Sequence, residues 1–387
     1  MTPITLRNLL SIIALSFILT LSGCKKKTDE PVGPTTTPRT VLVYMAANND
    51  LGSRGYDEKD IDEMRTAVVA GGLNNGRLLI YHAATDGTET LCEMDNTGTL
   101  NIIKTYNDGY CSINAARMKQ VIADVKANAP ADDYGLVLWS HSTGWIEDGI
   151  TESAPKRSFG ADNSKKMNVT TLASVLSGQG FSFVYFDCCY MSTIEVAYEL
   201  RNVTPTIVAS VLEVPLEGMP YNKNIPCFFQ ETPDLIGAAT NTFNYYNALA
   251  GENRTCSMTV TNTAGLDALA QATRDIYALA GPVVNYTTVQ KFSLDKAYYY
   301  SDFGDYIEQL CATLPTGPAL LEKWNAALND VVLYKAATPM LWNTTPIIKH
   351  SGFSTYILNK ESDATNTSRN YNNLSWYADV AESLFKL

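Results

Sequence analysis

Residues 181–200 read FSFVYFDCCYMSTIEVAYEL, placing Asp187, Cys188 and Cys189 where an apolar strand-forming run gives way to a helical pattern. A thiolate, not a thiol, attacks a carbonyl carbon. A thiol at a strand-to-helix junction lies near helix N–H groups that favour the anion. Only three histidines are present, His82, His141 and His350, so the choice of an imidazole partner is small. His141 closes the run DYGLVLWSH (133–141) and Cys189 closes FSFVYFDCC (181–189), 48 residues apart. One helix and one strand fill that interval, and a right-handed β-α-β crossover puts both strand ends on one rim. An imidazole there takes up or returns a proton near neutral pH. Peptide N–H groups at the same turns can hold a developing oxyanion. Taken singly, a cysteine after a strand is more often packed than reactive, and a lone histidine more often structural. Their placement at matching strand ends is what favours a catalytic pair.

The elements that must position this pair follow from periodicity. Apolar runs at 40–50, 76–87, 133–141, 181–189 and 205–212 read as buried strands. Segments 57–72, 112–130, 167–180 and 191–202 read as helices, with caps and end charges of the expected kinds. Residues 88–106 read as a hairpin turning at Asn96-Thr97-Gly98. Near-continuous apolar strands separated by helices predict an α/β fold, with a mostly parallel central sheet covered on both faces. Ligands in such sheets sit beyond the C-terminal strand ends. That rule selects three rims: Ala47–Asp50, Ser140–Gly144 and Asp187–Tyr190. The later half reads as mostly helical, at 233–250, 266–280, 296–312, 317–335 and 373–386, with strands at 256–262 and 353–358.

The 387-residue chain is 45% hydrophobic and carries a formal charge of −11, so nucleic acid is not an expected partner. Residues 9–24, LLSIIALSFILTLSGC, form an apolar run too short for a comfortable membrane span. Small residues followed by Cys24 resemble a bacterial lipobox, in which the cysteine becomes the lipidated first residue. The expected organisation is a signal peptide over 1–23, a lipidated N-terminus and polar tether over 24–39, and one domain over 40–387. An exported lipoprotein held to a membrane through its N-terminal lipid follows, and a monomer is expected. The eight cysteines show no paired C-x-x-C spacing of a zinc site, so no metal ligands are assigned.

The blocks VLVYMAANNDL (41–51), YGLVLWSHSTGW (134–145), YFDCCYMSTIEVAYELRN (185–202), VASVLEVPLEGMPY (208–221) and YYYSDFGDYIEQL (298–310) occur in order. Together they resemble the clostripain family of cysteine peptidases, whose caspase-like fold is shared with caspases, legumains and gingipains. SGFSTYIL (351–358) is a weaker match. The resemblance implies a caspase-like three-layer sandwich with a helical C-terminal portion, and an endopeptidase that cuts peptides or proteins after Arg or Lys. It puts the nucleophile at Cys189, with Cys188 in the family's alanine position, and the catalytic histidine at His141. Strand alternation agrees that only one of two adjacent thiols shares a face with a given partner. The resemblance makes Asp187 one carboxylate for the basic side chain before the scissile bond, and Glu217 a second, where the family has aspartate. The oxyanion would be held by the N–H groups of Ser142 and Cys189. The family has glycine at the Ser142 position. If a positive φ is required there, serine strains the site. No third catalytic residue is assigned.

Family members are made as precursors that cut themselves, which points to Lys156 and Arg157 in the polar loop 146–166. No cofactor is required by this reading. Some members depend on calcium, but no site is assigned to it, acidic loops such as ESDATN (361–366) being too weak a signal. Three other readings stay open. Ser142 and His350 occur in α/β-hydrolase order, although Ser140 stands where a nucleophile elbow has glycine. Cys188 and Cys189 can form a strained vicinal disulfide. An altered oxyanion position also fits a degenerate peptidase fold that binds peptides or a surface partner.

Overall fold

Alternation along the strands decides the architecture. In β1 (Thr37–Ala46), Val41, Val43 and Met45 enter one apolar cluster, while Leu42, Tyr44 and Ala46 enter another. A strand buried on both faces needs a covering layer on each side. The computed structural model describes residues 36–146, 159–163, 165–281, 288–293, 299–358, 360 and 371–386. Cys24 and the rest of the tether up to residue 35, the Lys156-Arg157 pair and the ESDATN segment lie outside the described residues, whereas the end expected for the tether is not tether: Thr37–Arg39 open β1 and pair with β5. The described residues fall within one compact unit, Pro34–Leu387.

The strands continue as β2 (Arg77–Ala83), β3 (Glu89–Met94), β4 (Leu100–Thr105), β5 (Ala131–Trp139), β6 (Phe159–Asp162), β7 (Lys165–Met167), β8 (Phe181–Asp187), β9 (Thr206–Ala209), β10 (Ser257–Asn262), β11 (Ser301–Asp302) and β12 (Val332–Ala337). Nine of them form one sheet in the order β12-β10-β9-β8-β5-β1-β2-β3-β4. The central five, β9-β8-β5-β1-β2, are parallel. Antiparallel pairs extend both edges. The sheet is thus mixed but parallel at its centre, as expected of a caspase-like sandwich.

One face is covered by α2 (Tyr56–Val69), which follows the single turn α1 (Asp50–Ser53). The other face is covered by α3 (Ala115–Asn128), α4 (Val169–Leu176) and α5 (Ile194–Glu199). Helices α6 (Tyr221–Phe228) and α7 (Leu235–Asn247) join α2, and α8 (Leu266–Ala280), α9 (Phe303–Cys311) and α10 (Gly317–Val331) join the opposite layer. Tyr44, Tyr81 and Tyr185 are fully buried in the sheet. Each such side chain contributes about 1.5–3 kcal/mol by leaving water, so the parallel centre is the firmest part on which to mount a site.

The expected helix over 317–335 ends at Val331, and residues 332–337 instead pair antiparallel with β10. Consecutive β-branched Val331 and Val332 favour the extended form at an unpaired sheet edge. Of the expected helix over 296–312, the described residues 299–302 are not helical and α9 begins at Phe303, where the Asp302 carboxylate accepts the Asp305 N–H at 2.8 Å. The strand expected over 353–358 shrinks to Ser354–Thr355, paired with β11. Helix α6 was not expected, because Pro226 inside it hides the pattern.

Candidate active site

Strands β5 and β8 pair with Trp139 opposite Asp187. Two residues further on, His141 and Cys189 leave the sheet at the same edge. Both line a cavity of about 180 Å³, together with Trp139, Asp187, Glu213 and Trp342. The crossover geometry expected from the sequence is therefore present.

The two adjacent thiols have different surroundings. Cys188 is buried, and its Sγ donates to Leu138 O at 3.0 Å. Burial, reinforced by the Asp187 charge, pushes that thiol well above its ordinary range. Cys189 is half-buried at the cavity wall, and Val214 N–H donates to its Sγ at 3.4 Å. Neither thiol is in a disulfide, so the vicinal bridge is not formed.

His141 is held from the first rim. Its Nε2 lies 2.6 Å from Asp50 Oδ1. An ionised carboxylate accepts from a ring N–H, which puts the proton of the neutral imidazole on Nε2 and the lone pair on Nδ1. Asn49 fixes the approach by capping α1, accepting from Leu51 N–H at 2.9 Å. Its amide donates to Ala46 O at 2.8 Å and Ala161 O at 2.9 Å. Asn48 donates to Asp162 Oδ1 at 2.9 Å. Gly52 permits the tight turn, since a Cβ there would lie 2.0 Å from Ala47 O.

The strain anticipated at Ser142 is absent: the residue is not among those with positive φ. That conformation falls at Gly144 (φ +63), where a Cβ would stand 2.6 Å from Tyr190 O. His141 O accepts from Gly160 N–H at 2.9 Å. In a trans peptide the C=O and N–H point oppositely, so the Ser142 N–H faces away from β6. The Ser142 hydroxyl donates to Met191 Sδ and accepts from Gly144 N–H. Tyr190, after the nucleophile position, has φ +60 and stacks on Tyr300 with ring centroids 4.1 Å apart.

Asp187 forms an acidic wall of the cavity. It is buried and accepts from Met219 N–H at 3.2 Å. Burial pushes its carboxyl up to about 6, against the pull of the Met219 N–H and the Tyr221 hydroxyl. Gly218 (φ +65) lets the chain close over it, since a Cβ there would meet Asp187 Oδ2 at 2.7 Å. Behind this wall stands Asp60 of α2, which receives the Trp139 indole N–H at 2.7 Å. Burial, then the Asp187 charge, pushes Asp60 up to about 9.

Glu217 does not line the cavity. It is half-exposed beside Gly218, and Glu213 holds the wall position instead, accepting from Trp342 Nε1 at 2.9 Å. The turn at Gly218 carries the chain back toward Asp187 and leaves the 217 side chain at the margin. His350 lies in a different cavity beside Asp302 and Lys335, where burial lowers it to about 3 and keeps it neutral. The structure therefore does not bring Ser142 and His350 together. His82 is bonded to Asp57 of α2 at 2.7 Å. Among the described residues no group of three or more His, Cys, Asp or Glu side chains is arranged to hold a metal ion.

Sequence reasoning missed the roles open to Asp50, Asp60, Glu213 and Trp342. The rim rule reached Asp50 without giving it a partner. Nothing in the pattern of α2 separated Asp60 from its acidic neighbours.

Comparison with known proteins gives one family model, described as the clostripain family, matching residues 43–385. None of the curated proteins compared matches the chain. Among solved structures, an inactive zymogen C11 protease from Parabacteroides distasonis is 31% identical, covers 90% of this chain and 99% of its own, and superposes with a TM-score of 0.77. A secreted C11 cysteine protease from Bacteroides thetaiotaomicron, bound to an irreversible peptide inhibitor, is 25% identical over 88% of this chain and 98% of its own, with a TM-score of 0.75.

Proposed function

The chain belongs to the clostripain family of cysteine peptidases, and on that footing we propose an exported, lipid-anchored endopeptidase that cuts after Arg or Lys. Cys189 is the nucleophile. His141 removes its proton through Nδ1, and Asp50 holds the ring by Nε2. The thiolate adds to the peptide carbonyl carbon, and the N–H groups of Ser142 and Cys189 hold the oxyanion. His141 returns the proton to the leaving amine as the C–N bond breaks, leaving a thioester on Cys189. Water, deprotonated by His141, then hydrolyses that ester and restores the thiol.

The observation that carries the specificity is the buried Asp187 carboxylate on the cavity wall. A basic side chain entering there gains charge-assisted hydrogen bonds in a place poor in water. Glu213 on the wall and Glu217 at the margin add negative charge. Export rests on the lipobox-like end at Cys24 and on a relative described as secreted. Self-cutting after Lys156 or Arg157 rests on the basic pair in a long polar loop and on a relative described as a zymogen. The peptide or protein substrate is met by a monomer that needs no cofactor.

A fluorogenic peptide panel varying the residue before the cut tests the reading. Arg and Lys substrates are expected to turn over at least about 100-fold faster than citrulline, Ala or Asp substrates, and Cys189→Ala to abolish turnover. Equal rates for citrulline and Arg would remove the specificity. A folded, reduced, processed protein without turnover on any substrate would favour a peptide-binding role.

A further inference from the structure

Asp60 is fully buried on the sheet-facing side of α2. Its Oδ2 takes the indole N–H of Trp139, and Trp139 itself lines the cavity below Cys189. Its Oδ1 is equally buried and has no hydrogen-bond partner. A buried carboxylate oxygen left without a donor costs several kcal/mol if it carries charge. The groups facing Asp60 do not supply a strong counter-charge. They are Asp187 from β8, Tyr221 from α6, and Glu63 and Lys59 from its own helix. Lys59 is exposed. Glu63 has a buried Oε2 that also lacks a hydrogen-bond partner. Asp57, one turn earlier on α2, is taken up by His82 of β2.

We infer that Asp60 is a positioning residue for substrate charge: it is protonated while the pocket is empty and gives up that proton when a basic side chain settles against Asp187. The inference rests on the Arg/Lys reading of the pocket. The balance is simple. The Asp60 carboxylic acid and an incoming guanidinium or ammonium become a carboxylate facing that cation, with one proton passed to solvent. Asp60 need not touch the substrate, because Trp139 and Asp187 stand between. The empty pocket thereby avoids two buried negative charges, and the filled pocket gains a second one. A neutral side chain of the same shape triggers no ionisation, so the arrangement raises discrimination for charge over size.

The sign follows from the two carboxyls. Binding that requires loss of a proton strengthens as pH rises until that group is already ionised. Asp187, raised to about 6, completes its part just above that pH. Asp60, raised to about 9, extends the rise toward that value.

The test uses two product peptides of one sequence, ending in arginine or in its neutral isostere citrulline, as competitive inhibitors of the processed enzyme from pH 6.5 to 9. Taking the ratio of their inhibition constants cancels the titration of Cys189 and His141. In the wild type the preference for arginine should grow by about tenfold per pH unit between 7 and 8.5, the slope of one proton. In Asp60→Asn, whose amide oxygen still accepts from Trp139, the ratio should be flat above pH 7 and at least about tenfold lower at pH 8.5. A flat wild-type ratio above pH 7, with arginine still preferred, overturns the role of Asp60 even if the variant does not fold. So does an unchanged slope in a folded Asp60→Asn. No preference for arginine at any pH overturns the Arg/Lys reading itself.

Discussion

The carboxylate of Asp50 lies 2.6 Å from His141 Nε2, yet its side chain is 54% exposed. Exposure screens its charge, so its contribution is orientation more than field. Asp50→Ala should lower kcat by about tenfold with little change in KM, well short of the roughly 10⁴-fold loss known when a buried triad aspartate is replaced. Steady-state kinetics on an Arg substrate reads this directly. Gly144 gives the contrasting case. Its positive φ and the 2.6 Å approach of an added Cβ to Tyr190 O mean that Gly144→Ala must displace the turn carrying Cys189. Activity should fall by at least about 100-fold, whereas Ser142→Gly should stay within about threefold of wild type. The shared cavity of Cys189 and His141 was legible because few histidines exist and both residues end apolar runs. Glu217 shows the limit, since a motif gives order along the chain and not the direction in which a loop residue points. Asp60 was illegible for another reason: a buried carboxyl on a helix looks like any acidic residue of its first turns.

Beyond apolar packing, one buried acid joins elements around the site. Glu195, in the first turn of α5, is fully buried and accepts from Thr355 Oγ1, Tyr356 N–H and Tyr371 OH, each at 2.9 Å. It ties the helix after Cys189 to the C-terminal segment, and burial pushes its carboxyl up to about 7. Glu195→Ala would strand three buried donors, each costing about 1–3 kcal/mol, so thermal unfolding should come roughly 5–15 °C earlier. Calorimetry checks this. Glu195→Gln keeps an acceptor and should lose much less. The places of the long strands and of the helices between them over the first 210 residues followed from periodicity, because strands buried on both faces advertise themselves as long apolar runs. Beyond that point the reading weakened. Two-residue strands such as β11 carry too few positions for any period to register, and β12 was masked by the helix leading into it.

At the scale of the whole molecule, the sheet does more than present two side chains. Strands β5 and β8 are neighbours through five consecutive pairings, from Gly135 with Phe183 to Trp139 with Asp187, while the loop between them holds the proposed processing pair. A cut after Lys156 or Arg157 assigns His141 to one polypeptide and Cys189 to another. The strand contact then becomes the seam of a two-chain complex, and the His141 O to Gly160 N–H bond a stitch across it. Renaturation of the cut form from urea is a second-order reassembly, whereas the uncut chain recovers in a first-order process. Recovered activity should therefore rise with protein concentration after processing and be independent of it before. Once nicked, the two pieces have no simple route back: dilution after unfolding silences them for good.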